Sequence, residues 1–220
     1  MCLTDIRARM LRACKEAGRD AKSVTLVAVC KNQGADKILP LLHAGQRVFG
    51  ENRVQEAAEK WPALRAAYPD IELHLIGQLQ TNKAKDAVKL FDVIESLDRP
   101  ALADALAKEM KKQNRFLPCF IQVNTGEEPQ KGGIAPRDVA DFYGYCLDLG
   151  IPVAGLMCIP PAEDVAALHF ALLHQLGGAL DAAKPLMLSM GMSADFESAI
   201  RCGATHIRVG SALFEIMKKD

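Results

Sequence analysis

Short β-rich runs alternate with helical segments along almost the whole chain of 220 residues. The first run, VTLVAVC at 24–30, is almost continuously apolar and branched, which is typical of a strand buried on both faces. Strands of this kind form parallel sheets that helices cover. Eight strands alternating with helices predict a single α/β domain over 1–220, a closed (β/α)8 TIM barrel, with a doubly wound open sheet as the alternative. The predicted strands lie at 24–30, 47–49, 71–76, 91–94, 116–123, 153–157, 186–189 and 206–209.

Apolar residues at helical spacing begin the chain. Ile6, Met10 and Ala13 predict an extra N-terminal helix packed against the body of the protein. Pro40 should shorten or kink the helix predicted at 35–44, because proline removes a helical hydrogen bond. Further helices are predicted at 54–64, from Pro100, at 137–149, at 162–181 and from Ser193.

Charge and cysteine content exclude several classes of function. Lys plus Arg equals Asp plus Glu, 27 against 27, so no global field attracts a polyanion and we expect no nucleic acid partner. The seven cysteines are widely spaced without a C-x-x-C motif, which favours buried thiols in a reducing cytoplasm over zinc or disulfide frameworks. No apolar run approaches the roughly 18 residues of a membrane helix, so we expect no membrane partner.

Polar, small and basic residues follow the predicted strands. Chemistry in a barrel of this kind collects at the carboxyl ends of the strands, so we expect a binding site at that rim. The candidates are Lys31, Glu51, Asn52, Arg53, Gln78, Asn124, Met192, Ser193, Arg208, Gly210 and Ser211.

Lys31 directly follows the first apolar strand. A lysine at a barrel mouth that is partly withdrawn from water favours the neutral amine, which is a nucleophile toward aldehydes and forms a Schiff base. On this feature alone, a solvated lysine at a strand end is the more ordinary interpretation.

The last two strand ends resemble an anion site. Met192 and Ser193 enter a predicted helix, and Gly210 and Ser211 offer two more open backbone positions. Barrels often hold phosphate in the loops after strands seven and eight. Without such a ligand, Ser193 is simply the N-cap of its helix.

Other polar residues carry two interpretations each. Arg208, near the end of the eighth strand, would donate to a ring nitrogen or an anion, or form an ordinary ion pair with a neighbouring carboxylate. Glu51 and Asn52 are otherwise first-turn and N-cap residues of the next helix. His74 and His206 lie in strands and are expected to be core histidines, and the loop at 127–133 is expected to be a flexible surface turn.

Several motifs occur in one order along residues 6–214, and together they resemble the pyridoxal phosphate homeostasis protein family. The combination is highly specific. The motifs are VAVCK, FGENRVQE, HLIGQLQTNK, IQVN followed by EEPQKGG, GLMCIPP, LSMGMSADFESAI and IRVGSALF.

The resemblance implies one barrel like the N-terminal domain of alanine racemase, binding pyridoxal 5′-phosphate (PLP), as a monomer or weak dimer. It implies a Schiff base on Lys31 and a phosphate held after strands seven and eight. The implied cofactor-binding residues are Lys31, Asn52 near the ring, Met192, Ser193, Gly210 and Ser211 around the phosphate, and Arg208 toward the ring nitrogen.

Three departures from the family pattern are visible. Cys30 stands where serine is usual before the lysine, and Asn-Gln-Gly at 32–34 replaces the usual turn. The ending FEIMKKD at 214–220 lacks the usual glycine after phenylalanine. The first change would alter hydrogen bonding near Lys31, and the last would alter contacts near the phosphate loop.

The residues favour a PLP carrier over an enzyme. An arginine on the ring nitrogen keeps that nitrogen unprotonated and weakens the electron sink that PLP catalysis needs. A racemase compensates with a second base from another domain, for which we expect no length in this chain. We therefore expect a cytoplasmic protein that buffers PLP or delivers it to apo PLP-dependent enzymes and influences amino-acid pools. A small amino-acid racemase is the alternative, and a Schiff-base aldolase without PLP is a third possibility.

Overall fold

Eight parallel strands close into a barrel in the computed structural model, which describes residues 2–180 and 185–214. Each strand pairs with the next along the chain, and the last returns to the first, where Val27 lies opposite Arg208. This architecture confirms the predicted (β/α)8 barrel and excludes the open sheet. The strands are Thr25–Val29 (β1), Val48–Glu51 (β2), Glu72–Leu75 (β3), Val93–Leu97 (β4), Cys119–Val123 (β5), Val153–Cys158 (β6), Met187–Ser189 (β7) and His206–Val209 (β8).

Helices surround the barrel and bury their apolar faces on it. Proline at the sixth position of the second helix agrees with its short length of nine residues. The helices are Leu3–Glu16 (α1), Ala35–His43 (α2), Val54–Ala67 (α3), Ala84–Leu90 (α4), Pro100–Gln113 (α5), Val139–Asp148 (α6), Ala166–Leu180 (α7), Phe196–Arg201 (α8) and Ser211–Phe214 (α9).

The predicted N-terminal helix is confirmed as α1, which packs against α8. Its inner face buries Leu3, Ile6 and Ala13. Arg9 adds a two-pronged ion pair to Glu197 of α8, with nitrogen–oxygen distances of 2.6 and 2.8 Å. The helix therefore packs on the outer helical layer of the barrel, against α8 and α9.

Most element boundaries differ from the predictions by a few residues, and three of the differences concern the starts of helices. The helix expected from Ser193 begins at Phe196, because Asp195 takes the N-cap position, so the N-cap role of Ser193 was wrong. Glu51 lies buried in β2 rather than in a first helical turn, and Arg53 rather than Asn52 is the N-cap of α3. The helix expected at 162–181 begins at Ala166 instead (α7), and position 181 lies outside the described residues.

The loop at 127–133 is folded against β5, which corrects the expectation of a flexible surface turn. Ile134 forms a parallel bridge with Val123, and the Gln122 side chain donates to the carbonyl of Gly132 at 3.0 Å. Asn124 donates through its amide to the carbonyl of Glu128 at 2.9 Å. These bonds close the rim on the β5 side.

The interior of the barrel is partly polar. Glu95 on β4 and Ser189 on β7 are fully buried and 2.5 Å apart, although their strands are not neighbours in the barrel. A hydrogen bond between them therefore crosses the interior. A small apolar cluster of Val93, Phe120 and Met157 packs apart from the main core.

The seven cysteines all lie in the described ranges, where they are unpaired, and five of them are buried. Within 2–180 and 185–214, no helix is both long and apolar enough to cross a membrane. The same ranges contain no cluster of three or more His, Cys, Asp or Glu suited to a metal ion.

Candidate functional site

One cleft of about 370 Å³ at the carboxyl ends of the strands brings together all seven predicted site residues. Apolar side chains from Val29, Ile76 and Ile159 form its walls. A flat ring between apolar walls, with polar groups at both ends, suits a cleft of this composition. The predicted residues in its lining are Lys31, Asn52, Met192, Ser193, Arg208, Gly210 and Ser211.

Lys31 lies in a turn two residues beyond the end of β1, and it is exposed. The more ordinary interpretation, a solvated lysine at a strand end, therefore describes Lys31 in this structure. The physical reason is that the strand stops at Val29 and the chain leaves the barrel before it reaches the lysine. Asn32 follows with φ of 58°, a left-handed conformation that asparagine tolerates better than most residues.

Cys30 does not reach the cleft. Its side chain is buried in the core, where its thiol contacts the carbonyl oxygen of Ala28 at 3.4 Å. Burial and the neighbouring Glu51 raise the pKa of this thiol well above its ordinary value. The cysteine that replaces the usual serine thus stays neutral, and it lies outside the cleft lining.

Two hydroxyl groups from different strand ends meet at the other side of the cleft. Ser211 Oγ donates to Ser193 Oγ at 3.2 Å. Ser193 reaches this position because Gly191 turns the chain after β7 with φ of 92°. Asp195 then accepts from the backbone N–H of Met192 at 2.6 Å and holds the loop. The two hydroxyls and the nearby glycine backbone form a polar corner that suits an anion.

Arg208 enters the cleft from the barrel interior and is almost fully buried. It donates to Ser189 Oγ at 2.6 Å and to the carbonyl of Cys158 at 2.8 Å. Glu95 lies 3.9 Å away and accepts from Ser189. Both interpretations of Arg208 thus have support, since the side chain is paired inside the barrel and also lines the cleft.

Hydrogen bonds continue from Glu95 through the barrel interior to its other end. Glu95 bonds His74 at 2.6 Å, and His74 bonds Glu72 at 2.8 Å. Burial opposes a charge on His74, but the two carboxylates outweigh it and raise its pKa to about 9. Burial likewise opposes a charge on Glu95, but His74 and Arg208 lower its pKa to about 2. The sequence signalled only core histidines here, and nothing in the pattern pointed to Glu95 or Ser189.

Asn52 lies half-buried directly after β2. Its side-chain amide forms no hydrogen bond within the described part of the chain, so it is available to a ligand. Gly77 packs so closely on its backbone that a Cβ at that glycine would overlap the Asn52 carbonyl oxygen. A neighbouring cavity of about 640 Å³ shares Asn52 and is also lined by Arg53 and Gln78, two of the other residues expected at this rim.

Comparisons with known proteins agree with this fold. The family model described as the alanine racemase N-terminal domain matches residues 2–217. A protein of Aquifex aeolicus named pyridoxal phosphate homeostasis protein is 41% identical over 221 residues, covering 96% of this chain and 95% of that protein. The solved structure of PipY from Synechococcus elongatus, with PLP bound, superposes with a TM-score of 0.81 at 38% identity, covering 94% of this chain and 99% of that one.

An alanine racemase from Clostridium difficile shares the fold, with a TM-score of 0.66 at 16% identity. This chain covers 55% of that protein's length. The family model, the curated relatives and the solved neighbours all lead to one assignment: the chain belongs to the pyridoxal phosphate homeostasis protein family, with the barrel of the alanine racemase N-terminal domain.

Proposed function

We propose that this protein binds PLP reversibly through a Schiff base on Lys31 and serves as a cellular carrier of the cofactor. The observation that carries the proposal is the cleft that unites an amine, two hydroxyls and a buried guanidinium. PipY, a relative at 38% identity, has been solved with PLP bound.

The described groups fit the three parts of PLP. The amine of Lys31 would attack the aldehyde carbon, form a C=N bond and release water, and addition of water would reverse the step. Ser193, Ser211 and the Gly210 backbone would hold the phosphate, because hydroxyl and N–H donors suit an anion. When bound, PLP supplies the reactive aldehyde, and the protein holds that aldehyde next to the amine of Lys31.

Arg208 would face the ring nitrogen from the floor of the cleft. A guanidinium only donates hydrogen bonds, so its partner nitrogen must be an unprotonated acceptor. Bonds to Ser189 and Cys158 already fix the guanidinium, so its position does not depend on the ligand. Asn52 would contact the ring from the β2 side.

Within the described lining, Lys31 is the one side chain that can act as a strong base, and no carboxylate, histidine or tyrosine contributes. Racemization needs a proton removed from one face of the substrate and returned to the other. The lining therefore supports a carrier, with a small amino-acid racemase as the alternative suggested by the shared fold. The curated relatives are likewise named for PLP homeostasis.

The unpaired cysteines suit a reducing compartment, so we propose that the carrier acts in the cytoplasm. Apo PLP-dependent enzymes would receive the cofactor, and a monomer or weak dimer would suffice for this role.

The test is borohydride reduction of protein loaded with PLP, followed by peptide mass analysis. We expect a reduced adduct on Lys31, and loss of the visible absorbance in Lys31→Ala with an unchanged unfolding midpoint. Lys37→Ala is the matched control, because Lys37 shares a neighbouring cavity with Lys31. An adduct that persists in Lys31→Ala would refute the assignment. Solvent deuterium entering the α-position of amino acids would support the racemase instead.

A further inference from the structure

Two side chains of α3 form hydrogen bonds with the backbone of the turn that carries Lys31. Lys60 Nζ donates to the carbonyl oxygens of Cys30 at 2.8 Å and Gln33 at 3.0 Å. These are the two ends of the turn, which is closed by the N–H of Gln33 on the carbonyl of Cys30 at 3.1 Å. Glu56 accepts the N–H of Asn32 at 2.6 Å. Three of the four residues at 30–33 are therefore bonded, and the fourth is Lys31.

Lys60 has more acceptors than it can satisfy at once. An ammonium has three N–H donors. Besides the two carbonyls, Glu51 lies at 2.7 Å and Glu56 at 2.9 Å from Nζ. The Lys60 side chain is 11% exposed, and that of Glu51 is fully buried. Charged hydrogen bonds withdrawn from water hold their geometry more firmly than exposed ones.

Glu51 is itself fixed. Trp61 Nε1 donates to Glu51 Oε1 at 2.9 Å, and both residues are buried between β2 and α3. The cation of Lys60 is thus anchored to the rigid barrel on one side and to the turn on the other.

We propose that Lys60 and Glu56 are positioning residues, which hold the Lys31 turn at a fixed distance from the polar corner. They would thereby set how long PLP remains bound. This inference rests on the proposed function. Neither Lys60 nor Glu56 belongs to the described lining of the cleft, and the resemblance assigns them no role.

The physical argument is preorganisation. PLP anchored by its phosphate presents its aldehyde at one place, and the C=N bond forms only when the Lys31 amine is held within reach. A turn with free carbonyls and a free Asn32 N–H would sample many conformations. The effective concentration of the amine at the aldehyde would then fall, so the bond would form more slowly and bound PLP would be released sooner.

The experiment measures PLP release from loaded protein to an excess of an apo-enzyme trap by stopped-flow absorbance. We expect Glu56→Ala and Lys60→Met to release PLP about tenfold faster than the parent chain, since each removes charge-assisted hydrogen bonds from the turn. Glu56→Gln keeps an acceptor oxygen for Asn32 and should restore most of the slow release.

Arg115→Met is the matched control. Arg115 also bonds a carboxylate, Asp92 at 2.9 Å, and a backbone carbonyl, that of Val88, but next to the start of β4 at the opposite end of the barrel. It should lower the unfolding midpoint without changing the release rate. A purely structural role for Lys60 and Glu56 would give that same pattern in their variants.

The outcomes separate the two proposals. If the parent chain forms no borohydride-trapped adduct on Lys31, the proposed function fails, and the positioning role falls with it. If the parent chain forms the adduct and Glu56→Ala releases PLP at the parental rate, only the positioning role is overturned. Glu56→Ala decides the question even if Lys60→Met does not fold, because Glu56 is partly exposed and Lys60 retains Glu51 as its partner.

Discussion

Ser193 and Ser211 are 18 positions apart in the chain, yet their hydroxyls lie 3.2 Å from each other. Neither residue is buried, so packing in the core does not explain its place at the rim. A pair of hydroxyl groups beside the open backbone of Gly210 suits the phosphate of PLP, while Lys31 lies across the same cleft. In the proposed binding, the two serines would therefore contact the phosphate, and Lys31 would contact the aldehyde.

Removing both hydroxyls tests that share. Ser193→Ala with Ser211→Ala should weaken PLP binding by about a hundredfold or more, because each of the two lost hydrogen bonds to a charged group is worth roughly 1.5–3 kcal/mol. Binding of pyridoxal, which has no phosphate, should stay unchanged in the same titration. Ser23→Ala, before β1 at the opposite end of the barrel, is the control. Equal losses for the two ligands would show that these serines do not hold the phosphate.

At the scale of elements, the connection from β7 to α8 decides where the polar corner lies. Gly191 has φ of 92°, and a Cβ there would lie 2.5 Å from Ala199 Cβ and 2.9 Å from Phe196 Cα. Both contacts belong to α8, so the glycine allows the helix to pack directly on the chain end of β7. The loop with Met192 and Ser193 takes its direction from that packing.

Gly191→Ala should destabilise the protein by about 1–3 kcal/mol through strain at positive φ and overlap with α8, and should weaken PLP binding as well. Urea unfolding and a PLP titration measure the two effects. Gly178→Ala is the control, because a Cβ at that position of α7 would meet no described atom within 4 Å, so the change should be neutral or slightly stabilising. An unchanged unfolding midpoint for Gly191→Ala would contradict the packing argument.

At the scale of the whole molecule, a line of polar side chains runs through the barrel. It begins at Glu72 at the start of β3 and continues through His74, Glu95 and Ser189 to Arg208 in the cleft. The cleft is therefore connected to solvent at the far end of the barrel by hydrogen-bonded groups. The contribution of these side chains to the free energy of unfolding depends on the protonation of His74 and Glu95.

His74 should make the free energy of unfolding fall as the pH rises through the alkaline range. Its pKa of about 9 in the folded protein exceeds the ordinary value of 6.5, so its contribution is full below pH 6.5 and is lost as the pH rises through 9. The unfolding free energy in urea should therefore fall between pH 7 and pH 9.5. His74→Gln should flatten that fall, and His43→Gln, at an exposed position, should not. Parallel profiles for all three proteins would refute the coupling.

Glu95 should make the free energy of unfolding fall as the pH drops through the acidic range. Its folded pKa of about 2 lies below the ordinary value of 4.5, so its contribution is present above pH 4.5 and is lost as the pH falls toward 2. Glu95→Gln should lower stability at neutral pH and reduce the loss on acidification, as measured by urea unfolding at pH 3 and pH 7. A Glu95→Gln profile parallel to that of the parent chain would contradict this assignment.

Local patterns in the sequence determined the barrel and the contents of its rim. The branched run of β1 and the apolar stripe of α1 are short-range signals, because burial on one or both faces of an element leaves its period in the chain. The helix α4, seven residues long, was missed, since two turns carry too little periodicity to be seen. Strand ends place Lys31 and Ser193 at one rim by topology alone.

Tertiary structure alone decided which polar groups meet. Glu95 and Ser189 are 94 positions apart and belong to strands that are not neighbours, so no local pattern records their bond. The support of the Lys31 turn by Lys60 likewise depends on α3 packing beside β1 and β2. Contacts across a closed barrel are set by curvature and register, which only the folded sheet possesses, whereas each element's own face is already present in the chain.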